Sequence, residues 1–163
     1  MKDILVTCPP MLGQFDRFVD LAAGKGLKLH RAQVTQTLSE DELCVLLPGY
    51  DGWIIGDDPA TRRVFEAARA GRLRAAVKWG IGVDNVDFAA CKDLGLPIIN
   101  TPGMFGAEVA DVAVAYVIGL ARELFVIDRG GRAGGWPKPA GISLNGRCAG
   151  VVGMGDIGRN TIT

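Results

Sequence analysis

The residues best suited to chemistry in this chain lie near its end, in Gly150-Val151-Val152-Gly153-Met154-Gly155-Asp156-Ile157-Gly158. An apolar strand entering a G-x-G-x-x-G turn and then a helix is the arrangement that holds a dinucleotide pyrophosphate. Gly153 permits the tight turn, Gly155 lets the backbone approach the diphosphate, and Gly158 lets helix and strand pack closely. The free N–H groups at the helix start face the anion. The same residues would also build an ordinary glycine-rich strand–helix turn. Asp156 sets a carboxylate beside the expected pyrophosphate, unless its side chain turns away or accepts local N–H groups. The acidic residue that grips the ribose is expected about 20 residues past the glycines. Only Arg159 to Thr163 follow, so the expectation is a cofactor site begun here and not finished.

A second stretch is Lys78-Trp79-Gly80-Ile81-Gly82-Val83-Asp84-Asn85-Val86-Asp87. It follows an apolar strand, and ligands of open α/β sheets bind at the carboxyl ends of strands. Gly80 and Gly82 allow a concave turn whose backbone N–H groups converge on a small carboxylate. Asp84 or Asn85 reads as a cap for the next helix. Lys78 is either a cleft cation or a solvated strand end. Gly56-Asp57-Asp58-Pro59 could line the same cleft, but Asp58 reads first as a helix cap with Pro59 at the first helical position. His30, the one histidine, receives no role.

These stretches need rigid elements to position them, and the chain supplies an alternating series. Strands are expected at Ile4–Thr7, Leu27–Arg31, Gly52–Ile55, Leu73–Trp79, Pro97–Asn100 and Arg147–Val152. The first is expected to end at Pro9 and Pro10. Helices are expected around Phe15–Ala22, behind a capping box at Ser39 and Glu42, over Ala60–Ala70 and over Val86–Leu94. The capped helix should bury Leu43, Leu46 and Leu47. This order predicts an α/β fold with a parallel sheet covered on both faces. From Gly106 to Asp128 one long helix is expected, roughly 35 Å in length. Val109, Val112, Val114, Val117, Ile118 and Leu120 go most of the way round it, so a second domain or subunit must cover it. Gly130 to Gly146 reads as an irregular loop.

Composition sets limits. Eighteen basic residues balance 18 acidic ones, and 48% of residues are hydrophobic. That is the composition of a soluble globular chain with no electrostatic pull toward nucleic acid or anionic membrane. Cys8, Cys44, Cys91 and Cys148 are widely spaced, so they read as reduced thiols of a cytoplasmic protein, with no metal site. No apolar run is long enough for a signal peptide or a membrane span.

Together the motifs resemble the D-isomer-specific 2-hydroxyacid dehydrogenases, above all the D-3-phosphoglycerate dehydrogenase branch. The resemblance rests on residues 79–87, on Asn100-Thr101-Pro102-Gly103, on Val109-Ala110-Asp111 with Leu120-Ala121-Arg122, and on Leu144-Asn145-Gly146 leading into Gly153–Gly158. It implies a flavodoxin-like substrate-binding domain over residues 1–99. Residues 100–163 would begin an NAD-binding Rossmann domain, entered by a crossover helix that also forms a homodimer. The backbone of Gly80, Ile81 and Gly82 would hold a small 2-hydroxy or 2-oxo acid, with Ile81 beside the nicotinamide. Gly153, Gly155, Asp156, Ile157 and Gly158 would hold the pyrophosphate. The family's catalytic Arg, its acidic partner and its His have no counterpart here, so the chain alone is expected to be inactive. The alternative is a non-catalytic dimerising or regulatory module. Asp57 and Asp58 also stand where relatives acting on phosphorylated substrates often carry a basic group.

Overall fold

The computed structural model describes residues 1–163, which form two compact units, Met1–Met104 and Phe105–Thr163. The first unit contains five strands: β1 (Lys2–Val6), β2 (Leu27–Arg31), β3 (Gly52–Ile55), β4 (Ala75–Lys78) and β5 (Ile98–Ile99). All pair in parallel, in the order β2-β1-β3-β4-β5. That order is the flavodoxin-like one, with its topological switch between β1 and β3. Leu5 sits between His30 of β2 and Trp53 of β3.

Side chains alternate across the sheet, so a strand buried on both faces must be apolar at consecutive positions. β1 shows this directly. Leu5 joins a cluster with Leu43, Leu47, Trp53, Phe65 and Leu73. Val6 points to the other face and packs with Met11 and Phe15.

The helices of this unit are α1 (Pro9–Leu12), α2 (Asp16–Ala23), α3 (Glu40–Leu46), α4 (Arg62–Ala70) and α5 (Phe88–Asp93). Pro9 and Pro10 do more than end β1. They open α1, where a missing N–H costs nothing and a fixed φ favours the helix. The capping box of α3 forms as expected: Ser39 N–H donates to Glu42 Oε2 at 2.8 Å, and Glu42 N–H to Ser39 Oγ at 3.3 Å. Leu43 and Leu47 are buried, but Leu46 is 39% exposed. Leu46 and Leu47 are adjacent, and the chain turns into a single 3-10 turn at Leu47–Gly49, so only one of them faces the core.

Two capping expectations are corrected. Asp58 does not cap α4; Thr61 stands at that position. Asp58 is fully buried and binds elsewhere. Neither Asp84 nor Asn85 caps α5; Asp87 does, accepting from Ala90 N–H at 2.7 Å. The helix therefore starts two residues later than expected.

At the amino ends of the strands, Asp3 and Asp51 gather the nearby cations. Asp3 accepts from His30 Nε2 at 2.8 Å and from Arg72 at 3.0 Å. Asp51 accepts from the Asp3 N–H at 2.9 Å and faces Lys2 at 3.6 Å. Hydrogen bonds from His30 and Arg72 lower the Asp3 carboxyl, and the Asp3 N–H bond lowers Asp51. Carboxyls depressed in the folded state take up protons more readily once unfolded. Their contribution is therefore complete above the ordinary value of 3.8 and is lost as pH falls through the folded values. Urea midpoints measured from pH 5 to pH 3 should fall on acidification, and Asp51→Asn should flatten that slope. An unchanged slope in the variant refutes the assignment.

The second unit contains α6 (Gly106–Ala121), α7 (Leu124–Arg132) and α8 (Asp156–Thr161). The single helix expected over 106–128 is broken. Glu123 adopts a left-handed conformation at φ 55°, and α7 folds back so that Phe125 packs on Gly119. A methyl group at Gly119 would come within 2.8 Å of the Phe125 ring. Ile142 N–H caps the end of α6 by donating to Ala121 O at 2.6 Å. No helix-breaking residue signals this turn in sequence; it is made by the notch at Gly119. Gly130–Arg132, expected as loop, complete α7. Residues 147–152, expected as a strand, pair with nothing. All five strands lie within residues 2–99, and an extended segment without a neighbour has no ladder to join.

The apolar side chains of α6 and α7 remain exposed. Only Gly106, Ala110 and Gly119 of α6 are buried, whereas Val112, Tyr116 and Leu120 are 50%, 57% and 70% exposed. No helix is long and apolar enough to cross a membrane.

Candidate functional site

The first unit carries a cavity of about 360 Å³ at the carboxyl ends of β3 and β4, lined by Asp57, Lys78, Trp79, Gly80, Gly82 and Asn85, among others. The turn after β4 forms its floor. Gly80 has φ 142°, which a side chain adopts only with strain, so glycine is required there. The turn is clamped by the segment after β5. Gly80 N–H donates to Thr101 Oγ1 at 3.0 Å, and Thr101 N–H returns to Gly80 O at 3.1 Å. Asn100 Nδ2 holds Ile81 O at 3.1 Å. Gly80 N–H is thus already committed. Within Gly80–Gly82 the N–H groups of Ile81 and Gly82 have no intramolecular partner, and those of Val83, Asp84 and Asn85 after them are likewise free. Trp79 is fixed edge-on against Phe18, 5.7 Å between ring centres.

A second set of bonds ties this turn to the loop after β3. Asn85 Nδ2 donates to Gly56 O at 3.1 Å and to Asp58 O at 2.7 Å. Ala60 N–H donates to Asn85 O, and Asp87 N–H returns to Ala60 O, each at 2.9 Å. The two loops therefore form one wall.

Lys78 is not a solvated strand end. It is 4% exposed, and its ammonium donates to Gly56 O and to Asp57 Oδ1, the latter at 3.1 Å. Asp57 and Asp58 are neighbours with opposite tasks. The Asp57 side chain is 71% exposed and lines the cavity. Asp58 lies beneath it, taking hydrogen bonds from the Thr7 hydroxyl, from Leu38 N–H at 2.9 Å and from Gly56 N–H at 3.2 Å. His30 is engaged by Asp3, on the amino side of the sheet.

The glycine turn belongs to the second unit. Gly153 has φ 99°, in the region that favours glycine. A side chain at Gly158 would collide with the Gly153 carbonyl, whereas Gly155 faces open space. Gly155 precedes the first turn of α8 in an extended conformation. Asp156 and Ile157 open that helix, where N–H groups have no carbonyl partner within it. The Asp156 carboxylate lies against Gly106, at the start of α6, and accepts from Asn160 Nδ2 at 3.2 Å. A carboxylate is favoured at a helix N-terminus.

Sequence reasoning singled out Gly80, Ile81 and Gly82 but gave Thr101, Asn100 and Asn85 no task as clamps. Asn100 and Thr101 lie about 20 positions along the chain from the turn they hold. Only the pairing of β4 with β5 brings them alongside.

Comparison with known proteins supplies a family. The profile of the D-isomer specific 2-hydroxyacid dehydrogenase catalytic domain matches residues 15–158. The chain is 30% identical over 143 residues to D-3-phosphoglycerate dehydrogenase of Archaeoglobus fulgidus, covering 86% of this chain and 26% of that protein. It is 31% identical over 128 residues to hydroxypyruvate reductase of Thermotoga maritima, covering 77% and 41%. Among solved structures, apo D-lactate dehydrogenase from Escherichia coli aligns with a TM-score of 0.80 at 22% identity, a likeness of fold. D-2-hydroxyisocaproate dehydrogenase aligns with a TM-score of 0.73 at 25% identity. These alignments cover 99% of this chain and 51% and 49% of those chains, so the chain spans about half of the solved relatives and less of the curated ones. With 144 of its residues inside the family profile, this chain belongs to the D-isomer specific 2-hydroxyacid dehydrogenases.

Proposed function

We propose that this chain is the acid-binding part, and the beginning of the cofactor-binding part, of an NAD-dependent D-2-hydroxyacid dehydrogenase. Residues 1–99 are the substrate-binding domain and residues 100–163 begin the NAD-binding domain. The observation that carries the reading is the clamped Gly80–Gly82 turn, whose Ile81 and Gly82 N–H groups have no partner in the chain. Two successive unpartnered amides at the carboxyl end of a parallel strand suit the carboxylate of a small 2-hydroxy or 2-oxo acid. The second unit fits a dinucleotide: Gly153 makes the turn, Gly158 permits the close packing, and Gly155 leaves the backbone open to approach. Gly153, Gly155, Asp156, Ile157 and Gly158 would hold the pyrophosphate, and Ile81 would border the nicotinamide. The cofactor, when bound, supplies hydride exchange with C2 of the acid. This chain's part is to orient the acid.

Reduction of a 2-oxo acid also requires a proton donor beside the C2 oxygen. The one histidine is held by Asp3, so the 163-residue chain binds acid without turning it over. In titrations of isotope-labelled chain with pyruvate, the Ile81 and Gly82 amide resonances should shift. Thr101→Val frees the turn and should weaken binding about fivefold, the value of one hydrogen bond, while Thr101→Ser retains it. Resonances at Ile81 and Gly82 indifferent to pyruvate, or turnover of NADH by the purified chain, would overturn the reading.

The exposed apolar face of α6 supports a homodimer built through residues 106–128. A second reading, a non-catalytic dimerising or regulatory module, rests on the same face. In either case the chain should sediment as a dimer at micromolar concentration, and Leu120→Glu should render it monomeric, since a charge placed at a core interface position is desolvated without a partner. A monomeric parent chain refutes the dimer.

A further inference from the structure

We infer that Asp57 sets substrate choice at the Gly80–Gly82 turn, admitting acids whose remaining substituent is uncharged and turning away those that carry a phosphate. The inference rests on the acid-binding role proposed for that turn and adds the substrate class.

The cavity has one cation, Lys78, and it is not available to an anion. It is 4% exposed, and two of its three N–H donors serve Gly56 O and Asp57. Its stem passes beside Gly80, with Cε 3.6 Å from where a Cβ would stand, so its charge lies close to the acid-binding turn. Asp57 neutralises that charge at 3.1 Å while presenting its own carboxylate to the cavity, with a side chain 71% exposed. Asp84 lines the same cavity and is exposed. One cation against two carboxylates leaves the lining one negative charge in excess. A single carboxylate of the ligand is still accommodated, because the backbone N–H groups of Ile81 and Gly82 hold it through oriented dipoles. A second anionic group on the same ligand meets no free cation in the lining. In a cavity of about 360 Å³ it lies within a few ångströms of Asp57, where like charges repel. A hydroxyl or methyl group in that place meets no such opposition.

D-Glycerate and D-3-phosphoglycerate differ only by the phosphate and make a matched pair of probes. Shifts of the Ile81 and Gly82 amides of the labelled 163-residue chain report binding of each. At low salt D-glycerate should bind about tenfold more tightly than D-3-phosphoglycerate, with a smaller ratio at high salt because Asp57 is exposed to screening ions. Asp57→Asn should reduce the ratio at least threefold, and Asp57→Glu, which restores the charge, should return it. A purely structural role for Asp57 would not follow charge in this way. Equal binding of both acids, or a ratio unmoved by Asp57→Asn, overturns the inference and leaves the acid-binding turn standing. Failure of both acids to shift Ile81 and Gly82 removes the turn's role and the inference with it.

Discussion

Replacing Asp58 with alanine should cost this chain about 3–5 kcal/mol of stability, since each buried donor it strands costs about 1–3 kcal/mol. The carboxylate is fully buried and receives three hydrogen bonds, from the Thr7 hydroxyl, Leu38 N–H and Gly56 N–H. Alanine leaves the Leu38 and Gly56 N–H groups with no acceptor and the Thr7 hydroxyl with only Ile54 O at 3.3 Å, and each stranded donor carries its own desolvation cost. Asparagine keeps the shape but turns an NH2 group toward at least one of those donors, so Asp58→Asn should cost less, about 1–3 kcal/mol. Urea denaturation of the three proteins measures both. An Asp58→Ala loss under 1 kcal/mol would mean that the network contributes little. The consequence reaches the cavity through Gly56. Asp58 fixes the Gly56 N–H, and the Gly56 carbonyl anchors Lys78 and Asn85. Two residues of the cavity wall are thus positioned by a carboxylate that does not line it.

Asp58 also marks the boundary of what the sequence makes legible. β2 and β3 have the expected limits, and the capping box at Ser39 and Glu42 forms, because hydrophobic runs and short-range partners are local signals. Asp58 carries an equally local signal, an acid before a proline, and here the local rule is overridden. Its oxygens find Thr7 and Leu38, which are 51 and 20 positions away in the chain. Lys78 stays ambiguous for the same reason: a lysine at a strand end reads equally as a cleft cation or as solvated until the loop after β3 closes over it. The break between α6 and α7 depends on a ring filling the notch at Gly119, a contact between elements that periodicity cannot encode. In the site itself, Gly80 is readable because a positive φ demands glycine. The commitment of its N–H to Thr101 is not readable, because it depends on β5 lying beside β4.

Trp53→Ala should match or exceed the Asp58→Ala loss, at about 3–5 kcal/mol, for a different physical reason. Trp53 is 1% exposed at the centre of β3, tilted against Phe65 with 5.9 Å between ring centres. Truncation removes a large packed ring and opens a cavity that the sheet is too rigid to close. The indole N–H also donates to Thr7 Oγ1 at 2.9 Å, which joins the ring to Asp58 through one hydroxyl. Trp53→Phe separates these contributions. Most of the ring packing survives, and Thr7 loses a donor but keeps its own bond to Asp58. An acceptor left short of one partner is less costly than a buried donor left with none, so Trp53→Phe should cost only about 1–2 kcal/mol. The order expected from urea midpoints is Trp53→Ala, then Asp58→Ala, then Trp53→Phe, with the last clearly apart from the other two. Because Trp53 and Asp58 meet on the same hydroxyl, Trp53→Phe combined with Asp58→Ala should depart from additivity by at least about 0.5 kcal/mol. Additive losses would mean that Thr7 does not link the core to the loop that carries Asp57.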